Sequence, residues 1–203
     1  MIIVILIYIL YSFGTDILTK FLDESNLITD TASKYLWGLF TIVEFSCFSL
    51  FFYFNLENSL LQRVIIIIIA VFTSFCLISL LSNFIIYGNL DTVPVTFQAI
   101  FVMTLCVIYF FEQIRNPNSL FIYSTAQFWI VTGILVYLAG TFFIYIYSWN
   151  LTQEELDKYW SINYFFNAVK NFLFGLGLYI HVKNQRKKSQ KSEFNYYSLL
   201  ENP

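Results

Sequence analysis

Runs of about twenty residues almost free of charge recur along this chain, and each matches the ~20 residues an α-helix needs to cross about 30 Å of hydrocarbon. In that medium backbone N–H and C=O groups must be satisfied within each helix, and irregular chain is pushed to the interfaces. Composition agrees: 58% of the 203 residues are hydrophobic and 12% charged, against roughly 45–50% and about 25% in soluble domains. A water-soluble core could not hide that excess. The fold class is therefore all-α, a polytopic transmembrane helix bundle.

Hydropathy and loop punctuation predict six spans, at 2–19, 36–56, 64–87, 93–114, 121–148 and 160–182, so that residues 1–182 form the bundle and 183–203 a flexible basic tail. Between them lie LENSLLQR, YGNLDTVP with Gly88 and Pro94, and RNPNS with Pro117. The fifth span is longer than a membrane requires and should tilt or protrude. In NLTQEELDKYW, Thr152 and Glu155 stand at capping-box spacing, which predicts a short surface helix over 153–159. Trp149, Tyr159 and Trp160 would anchor it at headgroup level. The first run, with Ser12 and Gly14 after a short apolar core, also has features of a signal peptide, but its apolar character continues through Ile17 and Leu18.

Positive charge is concentrated after the last span, at Lys183, Arg186, Lys187, Lys188 and Lys191, with Arg63 and Arg115 in loops on the same side. By the positive-inside rule both termini are expected on the cytoplasmic side of the membrane. The five tail residues are candidates for contact with anionic lipid headgroups, each worth about 1 kcal/mol near the surface. The expected partner is the bilayer, with no nucleic acid.

Two charges are stranded inside apolar runs, Glu44 and Lys170. A charge at the bilayer centre costs about 2.5–3.5 kcal/mol on insertion scales. Counted from the outer ends of their spans, the two lie about 12 Å and about 15 Å deep at the helical rise per residue. Nearly equal depth and opposite sign predict an intramembrane ion pair between the second and sixth spans. Asn163, Asn167, Lys170 and Asn171 recur at helical spacing, giving a polar stripe that serves as interhelical glue or lines a cavity open to the outer side. Gln98 and Gln127 lie at different depths and do not share an obvious site. Gly133, Gly140, Gly175 and Gly177 should permit close helix approach.

Catalytic and metal chemistry find little purchase. Cys47, Cys76 and Cys106 fall inside apolar runs and are expected to be packing residues. His181 is the single histidine and cannot form a two-histidine metal site. The chain has no HExxH, G-x-S-x-G or P-loop. No enzyme activity and no cofactor are expected.

The order of spans, with YLWGLFTIVEFSCFSLFFY, QFWIVTGILVYLAGTFFIYIY and INYFFNAVKNFLFGLGLYIHVK, resembles a group of uncharacterised bacterial multi-span proteins of six to seven helices. These are similar to the membrane sensor regions that accompany histidine kinases. The residues carrying the resemblance include Glu44, Asn163, Tyr164 and Lys170. It implies an extra leading helix in some members, and a sensor or signalling accessory whose output needs a partner chain, since no kinase or DNA-binding domain follows Val182. A proton-coupled or small-solute transporter is the alternative, because intramembrane acid and amine are raw material for ion relays. A structural subunit of a membrane complex is a third reading.

Overall fold

The computed structural model describes residues 2–25, 30–82, 92–115, 122–147 and 153–201. They form six α-helices: α1 (Ile2–Glu24), α2 (Asp30–Asn55), α3 (Ser59–Ser82), α4 (Thr92–Arg115), α5 (Ala126–Tyr147) and α6 (Gln153–Glu201). Among the described residues, α1 to α5 supply five segments long and apolar enough to cross a membrane. The bundle is thus all-helical and suited to membrane embedding. The stretch 160–182 of α6 is not among those segments, because Lys170 and the asparagines around it lower its mean hydropathy.

Several boundaries differ from those the sequence predicts, each for a local reason. The expected fifth span is shortened at its start, where Ile122–Ser124 forms a separate 3-10 turn. Thr125 Oγ1 then accepts from Phe128 N at 3.4 Å and opens α5, as N-cap hydroxyls do. The expected flexible tail continues α6 as helix through Glu201. Residues 183–201 contain neither Gly nor Pro, and Lys, Arg, Gln, Glu and Leu together make up 11 of the 19, all good helix formers. The short surface helix expected over 153–159 is the first two turns of the same helix, while Thr152 of the proposed capping box lies outside the described residues. So do 83–87 of the expected third span and Trp149.

Between α2 and α3 the chain reverses within a few residues. Asn58 Oδ1 accepts from Leu60 N at 2.9 Å and Leu61 N at 3.4 Å, capping α3, and Gln62 Nε2 donates to the Leu56 carbonyl at 2.8 Å.

Helix α2 packs against α1, α3 and α4, and α5 lies between α4 and α6. The closest pairing is α5 with α6, and missing side chains make it possible. A Cβ on Gly140 would lie 2.5 Å from the Phe166 ring, and one on Gly177 would lie 2.9 Å from the Ala126 carbonyl oxygen. Gly175, by contrast, has nothing within 4 Å. Aromatic rings fill the α2–α3–α4 interface: Phe45 meets Phe72 at 4.1 Å, and Phe72, Phe97 and Phe101 follow as a stacked series.

Candidate functional site

Four residues whose side chains can carry charge or donate strongly are buried together where α1, α2, α4 and α6 converge. Tyr8 is 0% exposed, Gln98 1%, Lys170 1% and Glu44 5%. The Tyr8 hydroxyl donates to Glu44 Oε1 at 2.7 Å, and Gln98 Nε2 donates to Glu44 Oε2 at 2.7 Å. Both carboxylate oxygens are therefore engaged. The Lys170 ammonium donates to the Tyr8 hydroxyl and stands 3.9 Å from Glu44 Oε1. It also lies over the ring of Tyr137 on α5, 3.9 Å from the centroid.

Each position follows from local structure. Glu44 and Phe48 are one turn apart on the inner face of α2, and Lys170 and Phe174 repeat that spacing on α6. Tyr8 packs against both phenylalanines, at 4.7 Å from Phe48 and 6.2 Å from Phe174. These rings fix where the Tyr8 hydroxyl points, so the polar contacts sit on a rigid aromatic frame.

The hydrogen bonds run in one direction, from Lys170 through Tyr8 to Glu44. Such a chain has two protonation arrangements with the same number of protons. In one, the ammonium faces the carboxylate. In the other, Lys170 has given a proton to Tyr8 as Tyr8 gave its own to Glu44, leaving three neutral groups. In a low dielectric, where isolated charge is costly, the second arrangement removes the charge separation that the first one holds.

The structure thus brings Glu44 and Lys170 together, with Tyr8 between them and Gln98 on the far carboxylate oxygen. Asn163 and Asn167 lie on the same face of α6, and their buried Oδ1 atoms have no hydrogen-bond partner among the described residues. Asn171 does not join them: one residue on from Lys170, it turns to the edge of the face and is exposed. Lys183, Arg186 and Lys187 are exposed on α6, whereas the side chains of Lys188 and Lys191 lie outside the described part. His181 lines a cleft of about 490 Å³ with Thr125, Ala126, Gln127, Asn184 and Gln185 at the start of α5, and Asn184 Nδ2 donates to the Ser124 carbonyl at 3.1 Å. The three cysteines are buried and free. Among the described residues, no group of three or more His, Cys, Asp and Glu side chains could hold a metal.

Tyr8 and Tyr137 carry no sequence signal, being two of fifteen tyrosines. Gln98 has one: about five residues into its span it lies about 7.5 Å deep at the helical rise, and a glutamine side chain spans the remaining gap to Glu44. Comparison with known proteins adds no relative, since no family model, curated protein or solved structure matches the chain.

Proposed function

We propose that this protein is an integral membrane sensor or signalling accessory, set in a bacterial inner membrane with α6 carrying the response into the cytoplasm. One observation carries the reading. A single buried polar network links Tyr8 on α1, Glu44 on α2, Gln98 on α4, Tyr137 on α5 and Lys170 on α6. A shift of its protons or partners is therefore felt at once by five helices, and a coupling element of this kind needs two discrete arrangements that both ends can bias. Helix α6 is 49 residues long, or about 74 Å at 1.5 Å per residue, well beyond what the bilayer takes up. Its distal part, with Lys183, Arg186 and Lys187 exposed, is a lever for a partner chain and a surface for anionic headgroups.

Spin labels at the exposed positions Ser59→Cys and Lys187→Cys, with the protein in nanodiscs, test the reading. Unchanged and Glu44→Gln proteins should give different distance distributions, because neutralising the acid favours one arrangement of the network. Superimposable distributions would remove the signalling role. A second reading, proton-coupled transport, is favoured by the directional hydrogen bonds from Lys170 to Glu44. Proteoliposomes under an imposed pH gradient separate the two: sustained proton or solute flux supports transport, and a sensor gives none.

A further inference from the structure

The polar network is not surrounded evenly. On α1, α2, α5 and α6 the position one helical turn from the network toward one end of the bundle is polar and that toward the other end is apolar, whereas on α4 both neighbours of Gln98 at that spacing, Val95 and Val102, are apolar. Helix α1 has Ser12 on one side of Tyr8 and Ile5 on the other, and α2 has Thr41 and Phe48 about Glu44. Helix α5 has Thr141 and Ile134 about Tyr137. Helix α6 has Asn167 and then Asn163 on one side of Lys170, and Phe174 on the other. The polar sides coincide, since α1 finishes at the end of the bundle where α2 and α6 begin.

Along this side, the buried Oδ1 atoms of Asn163 and Asn167, one helical turn apart, lack a partner among the described residues, as does Gln98 Oε1 beside Glu44. Buried acceptors are almost always satisfied, and in a membrane a bare one is costly because no bulk water is at hand to replace the missing partner. Water satisfies an amide whichever way it is turned, because it donates and accepts. The Thr41 and Thr141 hydroxyls donate to carbonyls of their own helices and keep lone pairs free to accept.

We infer that water enters the bundle between α1 and α6, from the end where α1 finishes and α6 begins, and delivers protons to the Lys170–Tyr8–Glu44 chain from that end alone. Phe48, Phe174 and Ile5 close the opposite side. The proton balance is simple. Starting from the ammonium–carboxylate form, hydronium gives a proton to Lys170 as Lys170 passes one to Tyr8 and Tyr8 passes its own to Glu44. The products are water, an unchanged ammonium and a neutral carboxylic acid, so the network gains one positive charge. The groups that share this field are Tyr8 and, farther along, Asp16 on α1, Glu44 and Cys47 on α2, and Tyr137 on α5; Gln98 faces it from α4. The inference rests on the proposed signalling role only in naming the proton as its stimulus; the water path stands on geometry alone.

Water-edited solid-state NMR of the unmodified protein in liposomes tests the path without a mutation. The Asn163 and Asn167 amides and the Lys170 ammonium should receive magnetisation from water early, and the Phe48 and Phe174 rings late. Build-up at Asn167 and Lys170 as slow as at Phe174 would overturn the inference. Sidedness is read by a membrane-impermeant thiosulfonate, which needs a hydrated thiolate. Asn167→Cys should react at least ~10-fold faster than the lipid-facing Phe172→Cys when the reagent is added on one side, with the unmodified protein and its buried cysteines as baseline. Reaction from both sides, or from neither, would overturn it. A dry path sinks this inference even if α6 responds to the network; a wet path with α6 indifferent leaves it standing and removes the signalling role.

Discussion

Lys170 Nζ lies 3.9 Å from the centroid of the Tyr137 ring, nearer than to the Tyr8 ring at 4.9 Å. The ammonium is thus held by a carboxylate and a hydroxyl on one side and by an aromatic face on another, which is how a buried cation replaces its lost hydration. Tyr137→Phe keeps the ring and Tyr137→Leu removes it. Unfolding in mixed detergent should find the Leu variant less stable than the Phe variant by about 2 kcal/mol, the scale of a desolvated cation–π contact plus packing. In a Lys170→Met background that difference should shrink, and an undiminished difference would show that the ring matters for packing alone.

Glu44 and Lys170 should behave as a coupled pair. Removing one partner leaves the other buried and uncompensated, at about 3–5 kcal/mol. Lys170→Met and Glu44→Gln should each be strongly destabilising, and the double variant much less so than their sum. Tyr8→Phe belongs in the same cycle, because it removes the bridging hydroxyl while keeping the ring against Phe48 and Phe174. Its cost should be about 1–3 kcal/mol, that of unsatisfied buried partners, and should fall in the double variant. Additive losses throughout would sink the coupling.

The helical architecture and the pairing of the two charges could be read from the chain because each rests on a strong local penalty. Long apolar runs dictate helices, and two opposite charges at one depth have few ways to avoid each other. What escaped is set by packing. Tyr8 and Tyr137 resemble any other tyrosine until the Phe48 and Phe174 rings fix one hydroxyl and α5 brings the other ring to Lys170. Gln98 was hidden by reasoning from backbone depth alone, which neglects the reach of a long side chain. The helical tail was masked by its charge, which speaks to topology and headgroups but not to backbone conformation. Asn171 shows the limit of sequence spacing: a stripe of polar residues on a helix wheel includes a member that the bundle leaves exposed.

The α2–α3 reversal should depend on Asn58. Its Oδ1 serves two amide donors at the start of α3, so Asn58→Ala should cost about 1 kcal/mol and Asn58→Asp very little, since both Asn and Asp cap well. Amide hydrogen exchange at Leu60 and Leu61 would check this directly. Faster exchange is expected in the Ala variant only; equal protection in all three proteins would mean that the turn is held by other contacts.

Two glycines two residues apart on α6 make opposite predictions, which isolates close helix approach from glycine's helix propensity. A Cβ on Gly177 would meet a backbone oxygen, that of Ala126, at 2.9 Å, while one on Gly175 would meet nothing within 4 Å. Backbone cannot swing aside as a side chain can, so Gly177→Ala must push α6 away from the start of α5, at about 1–3 kcal/mol for overpacking. Offsetting it is the gain of roughly 1 kcal/mol that any helical Gly→Ala change brings. Gly175→Ala receives the gain without the clash and should be neutral or stabilising. The sign of the difference is therefore fixed: thermal unfolding in detergent should place Gly177→Ala below Gly175→Ala. The displaced helix also carries Lys170, two turns away, so Gly177→Ala should weaken the Lys170 contact with Tyr137, seen as a shift of the lysine Nζ resonance. Equal stability of the two variants, with that resonance unmoved, would mean that α5 and α6 do not approach as closely as the glycine positions imply.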